Sequence, residues 1–230
     1  MIGLIADVHG NIDALETVLT ALADRGIRDI YAAGDLVGYN AAPNECCERL
    51  RAVPGVKGNH EWAALLDPDD EDLVWFNEEA REAAIWTGHQ LTPANRALLA
   101  ALPLQRSFVA GGHRVTLVHG SPEDPLFEYT FDDAADAGCQ RLLEVAEADI
   151  LIMGHTHRPY VRQVGAGLVI NPGSVGQPRD GDPRAACAIL DPATLQAEIL
   201  RLDYDIGAAA RRNMAAGLPA LLSDRLRQGQ

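Results

Sequence analysis

The chain contains no apolar run approaching the roughly 20 residues needed to span a bilayer, so a membrane partner is not expected. Its first residues, Met1 to Ala6, lack the layout of a secretory leader and read as a strand entering a motif; a soluble, cytoplasmic protein is the expectation. Basic residues are in deficit: 19 Lys and Arg stand against 33 Asp and Glu, a formal net charge of −14. Extended nucleic acid draws its affinity from clustered cations, so it is not an expected partner. Acidity of this kind favours solubility and, near a cleft, attracts cations. Only four cysteines occur, Cys46, Cys47, Cys139 and Cys187, and no C-x-x-C spacing suggests a zinc knuckle or a redox pair. They are expected to be reduced and buried as small apolar residues. Also missing are internal repeats, low-complexity segments, a C-x5-R thiol motif and any feature that sets an oligomeric state.

What is present is ample apolar material, 47% of 230 residues, enough for a core in one domain spanning 1–230. The run Ile2 to Ala6 ends in Asp7-Val-His-Gly-Asn, after which Ile12, Leu15, Val18, Leu19 and Leu22 recur at helical spacing until Gly26. A second run, Ile30 to Ala33, stops at Gly34-Asp35; Pro43 to Leu50 reads as a helix before the run Val53 to Val56 and Gly58-Asn59-His60. This rhythm is that of an α/β sheet whose functional groups sit at the carboxyl ends of its strands. A helical insertion is expected over about 62–102, with helices at Asn77 to Gln90 and from Pro93. It holds Trp62, Trp75 and Trp86, which are expected to pack against the sheet rather than lean over a pocket.

From Arg106 the pattern turns to strands: Ser107 to Ala110 and Arg114 to Val118 flank Gly111-Gly112-His113, a hairpin signal, and the second strand ends at His119. A helix over about Asp132 to Ala148 precedes Ile150 to Met153, which delivers Gly154-His155-Thr156-His157. Strands at Tyr160 to Val164, Leu168 to Ile170, Ala185 to Leu190 and Gln196 to Leu202 then read as a meander. A helical segment over about 205–229, broken at Gly217-Leu-Pro219, follows.

Seven positions each follow an apolar run and carry an oxygen or imidazole donor: Asp7, His9, Asp35, Asn59, His119, His155 and His157. Neighbouring strands bring their ends together, so such groups are candidates for one site. Imidazole suits transition metals, carboxylates offset their charge, and one carboxylate between two ions can hold them roughly 3.5 to 4 Å apart. On extended backbone, residues two apart point the same way, so D-x-H and H-x-H would each offer two ligands together. Taken singly, Asp7, Asp35 and Asn59 are as readily turn formers or helix caps. His89 and His113 fall outside the set and are expected at the surface.

Five motifs, D-x-H, G-D-x-x-G, G-N-H-E, H-G-S and G-H-T-H, occur in this order between Asp7 and His157. In them the chain resembles the calcineurin-like metallophosphoesterases, and the stretch Asn171 to Asp182 is similar to that of the family's small bacterial branch. The resemblance implies a four-layer sandwich of two mixed β-sheets flanked by helices. It implies two divalent metal ions, with Asp7, His9 and His157 on the first, Asn59, His119 and His155 on the second, and Asp35 bridging. It gives His60 the role of contacting phosphate and protonating the leaving alkoxide. Glu61 stands where many relatives carry Asp, and a supporting hydrogen bond from its carboxylate is expected to survive. Asn11 reads as a phosphate contact or a helix N-cap, Arg179 as a phosphate contact or a surface salt bridge.

The function implied is hydrolysis of phosphomonoesters or phosphodiesters, of small molecules or nucleotides, by direct attack of a water or hydroxide bridging the metals. The donor set accepts Mn, Fe, Zn, Co or Ni, with Mn the expectation in the test tube. Alternatives are a dinucleoside polyphosphate hydrolase, whose motif Gly34-Asp-Leu-Val-Gly38 also resembles, and a non-catalytic scaffold, which would not need His60. A nuclease is disfavoured by charge and length.

Overall fold

Every residue of β1 (Ile2–Ile5) is buried because the strand carries a packed layer on each face. In the computed structural model, which describes residues 1–230, it lies within a four-stranded mixed sheet. β1 pairs in parallel with β2 (Ile30–Ala32) and antiparallel with the strand Ala185–Asp191, which pairs in turn with Gln196–Leu202. A five-stranded sheet is made of β3 (Gln105–Ala110), β4 (His113–Val118), β5 (Ile150–Ile152), β6 (Tyr160–Val164) and β7 (Gly167–Asn171), in the order β3-β4-β5-β7-β6. The two strands after β7 are β8 (Ala185–Asp191) and β9 (Gln196–Leu202), so the first sheet runs β2-β1-β8-β9. The helices are α1 (Ile12–Asp24), α2 (Pro43–Leu50), α3 (Asn59–Leu65), α4 (Glu78–Gln90), α5 (Pro93–Ala100), α6 (Asp136–Val145), α7 (Ile206–Ala215) and α8 (Ala220–Gln228).

Period-two alternation sorts the strand residues into layers. Ile2 and Leu4 of β1, Val115 and Leu117 of β4, Ile150 and Ile152 of β5, and Leu168 and Ile170 of β7 face the space between the sheets and form one cluster. Ile5 and Cys187 turn the other way, onto Leu15, Val18 and Leu22 of α1 and Cys46 and Leu50 of α2. On the far side Leu151 and Val169 meet Cys139, Leu142 and Leu143 of α6. The order helix, sheet, sheet, helix follows. All four cysteines are unpaired and buried, and no helix is long and apolar enough to cross a membrane.

The strands after β5 do not form one meander: β6 joins β7 in the five-stranded sheet, while β8 and β9 cross to the other. Alternation decides which face of a strand is buried but not which sheet receives it. The run 53–56 makes a single parallel bridge, between Ala32 and Gly55, in place of a strand; Pro54 has no N–H to give to a ladder. The helix expected over 132–148 is shorter, Asp136–Val145. His113 begins β4 opposite Ala110, leaving Gly111 and Gly112, both at positive φ, as the hairpin turn.

Candidate metal centre

Each anticipated donor sits just beyond a strand or at a helix start, and the loops carrying them are laced together. Asp7 N–H donates to Gly34 C=O at 3.1 Å, His9 N–H to Asp35 C=O at 2.9 Å, and Gly154 N–H to His119 C=O at 2.9 Å. The expected extended geometry of D-x-H and H-x-H is not what is found. Asp7, His9, Asp35, His155 and His157 all have φ between +49° and +67°, and they make up most of the non-glycine residues at positive φ in the chain. Left-handed backbone costs a non-glycine residue about 1–3 kcal/mol, so convergence of these side chains is held against local strain by the surrounding hydrogen bonds. The close packing leaves no room at Gly58, where a Cβ would lie 2.1 Å from Asp35 Oδ1, or at Gly38, where it would lie 2.7 Å from His60 Nδ1.

All seven donors meet. Around Asp7 Oδ1 lie His157 Nε2 at 3.4 Å and His9 Nε2 at 3.7 Å, with the two Nε2 atoms 3.1 Å apart. Alongside, His119 Nε2 lies 3.0 Å from Asn59 Oδ1, 3.2 Å from His155 Nδ1 and 3.3 Å from Asp35 Oδ2. Asp35 Oδ2 is also 3.6 Å from His9 Nε2, so this one oxygen faces both groups. Bonds of about 2.1 Å to a shared ion put neighbouring donors roughly 3.0 to 3.4 Å apart, and the observed spacings sit close to that.

The rest of each ligand-type side chain is anchored. Asp7 Oδ2 accepts from His155 N–H at 3.1 Å and Asp35 Oδ1 from His60 N–H at 2.9 Å. Asp7 Oδ1 and Asp35 Oδ2 are then left buried without a hydrogen-bond partner. The second nitrogens of the imidazoles face main-chain carbonyls: His9 Nδ1 Val37, His119 Nδ1 Ala33, His157 Nδ1 Gln177 and His155 Nε2 Phe127. Such donation fixes the tautomer that turns a lone pair to the centre. Glu61 Oε2 accepts from Asp35 N–H and Gly58 N–H, both at 2.8 Å, and Oε1 from Val37 N–H at 3.0 Å. Its carboxylate therefore braces the Asp35 loop through backbone amides, without touching a donor side chain.

The charges do not balance in the protein alone. Burial pushes Asp7 up to about 8, whereas for Asp35 the pull of burial is outweighed by His119, His60 and His9, which hold it well below the usual carboxylate range. His119 goes the other way, up to about 9, because the Asp35 charge outweighs its burial. Burial drives His9 and His157 well below the ordinary imidazole value and His155 down to about 3. Two orphaned carboxyl oxygens facing the imidazoles of His9, His155 and His157, which burial keeps neutral, are what a buried cation would satisfy.

His60 is 3% exposed, has an unpartnered Nδ1 and lines a cavity of about 580 Å³ over the donor cluster. Arg179 lines the same cavity, with Nη2 donating to Tyr39 Oη at 3.0 Å and Gln177 Oε1 at 3.2 Å; it is not engaged as a surface salt bridge. Asn11 stands apart. Its Oδ1 caps α1 by accepting from Ala14 N–H, and its Nδ2 donates to Gly176 C=O and Tyr204 Oη, so no amide hydrogen is left for a phosphate. None of the three tryptophans packs on a sheet as expected: Trp75 and Trp62 line the cavity, Trp62 while also packing on the cluster of Ala63, Leu73 and Ala84, and Trp86 packs on a cluster of helix and loop residues that includes Ala80 and Leu222. Sequence reasoning missed Tyr39, Phe127 and Tyr129 on the cavity wall; the aromatic spacing of Phe127-Glu-Tyr129, close after His119, was the available signal.

The sequence profile of the calcineurin-like phosphoesterase superfamily domain matches residues 1–194. The chain belongs to that superfamily. This phosphoesterase is 36% identical to the uncharacterized protein MJ0912 of Methanocaldococcus jannaschii, over 100% of its own length and 98% of the relative's. It is 29% identical to the phosphodiesterase YfcE of Escherichia coli, over 81% of its own length and 84% of that protein. The crystal structure of a metallophosphoesterase from Sphaerobacter thermophilus superposes with a TM-score of 0.82 at 37% identity, covering 100% of this phosphoesterase and 98% of that chain. Divalent metals are implied by the family, and the clustered donors are their candidate ligands.

Proposed function

We propose that this phosphoesterase hydrolyses phosphomonoesters or phosphodiesters of small molecules, with two divalent ions held side by side beneath the cavity. The observation that carries the reading is the pair of buried, unpartnered oxygens, Asp7 Oδ1 and Asp35 Oδ2, among converging imidazole nitrogens. Asp7, His9 and His157 would hold one ion, Asn59, His119 and His155 the other, and Asp35 both. Ions bound there supply Lewis-acid charge to the phosphoryl oxygens and lower the pKa of a nearby water; Mn is the ion of first choice for assay.

The protein's own groups do the rest. No Ser, Thr or Cys lines the cavity, and burial pushes the phenols of its Tyr39 and Tyr129 up, away from the ionised form, which supports attack by water in preference to a side chain of the enzyme. Arg179 brings a guanidinium to the same space, suited to a phosphoryl oxygen. His60 gives the proton to the departing alkoxide. Burial lowers its pKa to about 4, so the ring is neutral at pH 7 until a phosphate anion beside it favours the protonated form.

The test is a screen of chelated protein, re-supplied with single divalent ions, against mono-, di- and cyclic phosphate esters. Turnover that appears only on re-supply is expected. Equal turnover with chelator present, or none with any ion, would overturn the reading.

A further inference from the structure

Beyond the donor cluster, the cavity wall is built of aromatic rings. Phe76 meets His60 edge-on at 5.5 Å, Trp62 lies 6.4 Å from Phe76 in a stacked orientation, and Phe127 meets Trp62 edge-on at 5.4 Å. Tyr129 stacks on the His155 ring at 3.9 Å. Trp75 lines the same space while 75% exposed, from a short 3₁₀ turn at Glu71–Trp75. A free aromatic face of that size beside polar catalytic groups is costly to leave in water and is a platform for another ring.

The charges of the wall limit what else a substrate can carry. Of all lysines and arginines, only Arg179 lines the cavity, and Asp72 adds a negative charge beside Trp75. Two ions and one guanidinium suffice for a single phosphoryl group. A chain of phosphates would have to lay its further charges along aromatic rings and a carboxylate, with no cation to meet them.

We propose that this chamber selects the ester group: the substrate is a single phosphoryl group esterified to an alcohol bearing a planar aromatic ring, nucleobase or aryl, with no further phosphate. The inference rests on the hydrolase reading above and narrows it, away from dinucleoside polyphosphates. Trp75 and Phe127 are its specificity-determining residues, touching the ring and not the reacting atoms.

The experiment is a binding titration of the Mn-supplied protein with phenylphosphonate and cyclohexylphosphonate, which share head group and charge, read by quenching of tryptophan fluorescence. Phenylphosphonate is expected to bind about fivefold more tightly, since ring stacking adds to area burial. Trp75→Ala, at an exposed position, and Phe127→Leu should each shrink that ratio, and Trp75→Phe should keep it. Competition by AMP, ADP and ribose 5-phosphate separates the sources of the ring. AMP exceeding ribose 5-phosphate points to a nucleobase, parity of the two to an aryl group, and ADP should gain nothing over AMP. Equal binding of the two phosphonates, a ratio that survives both truncations, or tighter binding of ADP than of AMP would overturn the proposal. Inorganic phosphate bound and esters turned over without any ring preference would sink this inference alone. No turnover with any ion would sink the hydrolase reading as well.

Discussion

The Nε2 atoms of His9 and His157 lie 3.1 Å apart, while the Nδ1 of each ring faces a main-chain carbonyl, Val37 for one and Gln177 for the other. With both Nδ1 atoms donating, both Nε2 atoms are lone pairs pointing at each other, a repulsive arrangement. A cation between them turns repulsion into ligation. The fold should therefore gain stability from its ions: at a concentration a hundredfold above Kd, the gain is about 2.7 kcal/mol, or roughly 5 to 10 °C in melting temperature for a chain of this size. Thermal melts with chelator and with Mn check this. Coincident melting curves would contradict it.

Metal binding should also displace protons. In the metal-free protein burial holds Asp7 at about 8 and the Asp35 charge holds His119 at about 9, so both are largely protonated at pH 7. Ligands must be deprotonated; loading at pH 7 then releases protons, and affinity climbs as pH rises through 8 and 9 before levelling off. Calorimetric titration with Mn in two buffers of different ionisation enthalpy reads the release. Identical heats in both, with affinity independent of pH, would contradict the assignment.

How far the sequence alone led is visible at particular residues. The seven donors were legible because each ends an apolar run, and strand ends converge. The left-handed backbone at Asp7, His9, Asp35, His155 and His157 was not: Asp and His enter that region more often than most residues, but nothing local requires it at these five positions, and hydrogen bonds between loops distant in sequence hold it. The Gly111-Gly112 turn was readable from local chemistry, whereas the departure of β8 and β9 to the other sheet depends on tertiary pairing with β1. Asn11 kept both of its readings until the structure showed its amide spent on Gly176 and Tyr204. Tyr39 belongs to a loop without periodicity, and for Phe127 and Tyr129 the only mark of a cavity wall was their spacing two apart, close after His119.

Replacement of Glu61 by Gln tests the brace behind Asp35. The carboxylate takes three backbone N–H groups, from Asp35, Gly58 and Val37. Gln keeps one acceptor oxygen and turns an NH₂ toward a donor, leaving a buried N–H unsatisfied at a cost of about 1–3 kcal/mol. The chelated variant should melt several degrees lower and, once supplied with Mn, bind it more weakly. An unchanged melting temperature would show that the brace is dispensable.

His60→Ala should separate metal binding from chemistry. His60 lines the cavity, and its imidazole makes no side-chain hydrogen bond to a donor of the cluster. Bound metal is expected to be unchanged, with kcat on an alkyl phosphate ester falling about 100-fold or more and far less on a p-nitrophenyl ester, whose leaving group needs no proton. Equal losses on both esters would remove His60 as the acid.

The most direct measurement is metal stoichiometry by elemental analysis of chelated, Mn-reloaded and desalted protein, compared with Asp35→Ala. A shared Asp35 Oδ2 facing both His9 and His119 predicts two ions per wild-type chain and fewer than one in the variant. A wild type that holds a single ion, or an Asp35→Ala protein that keeps two, would contradict the account.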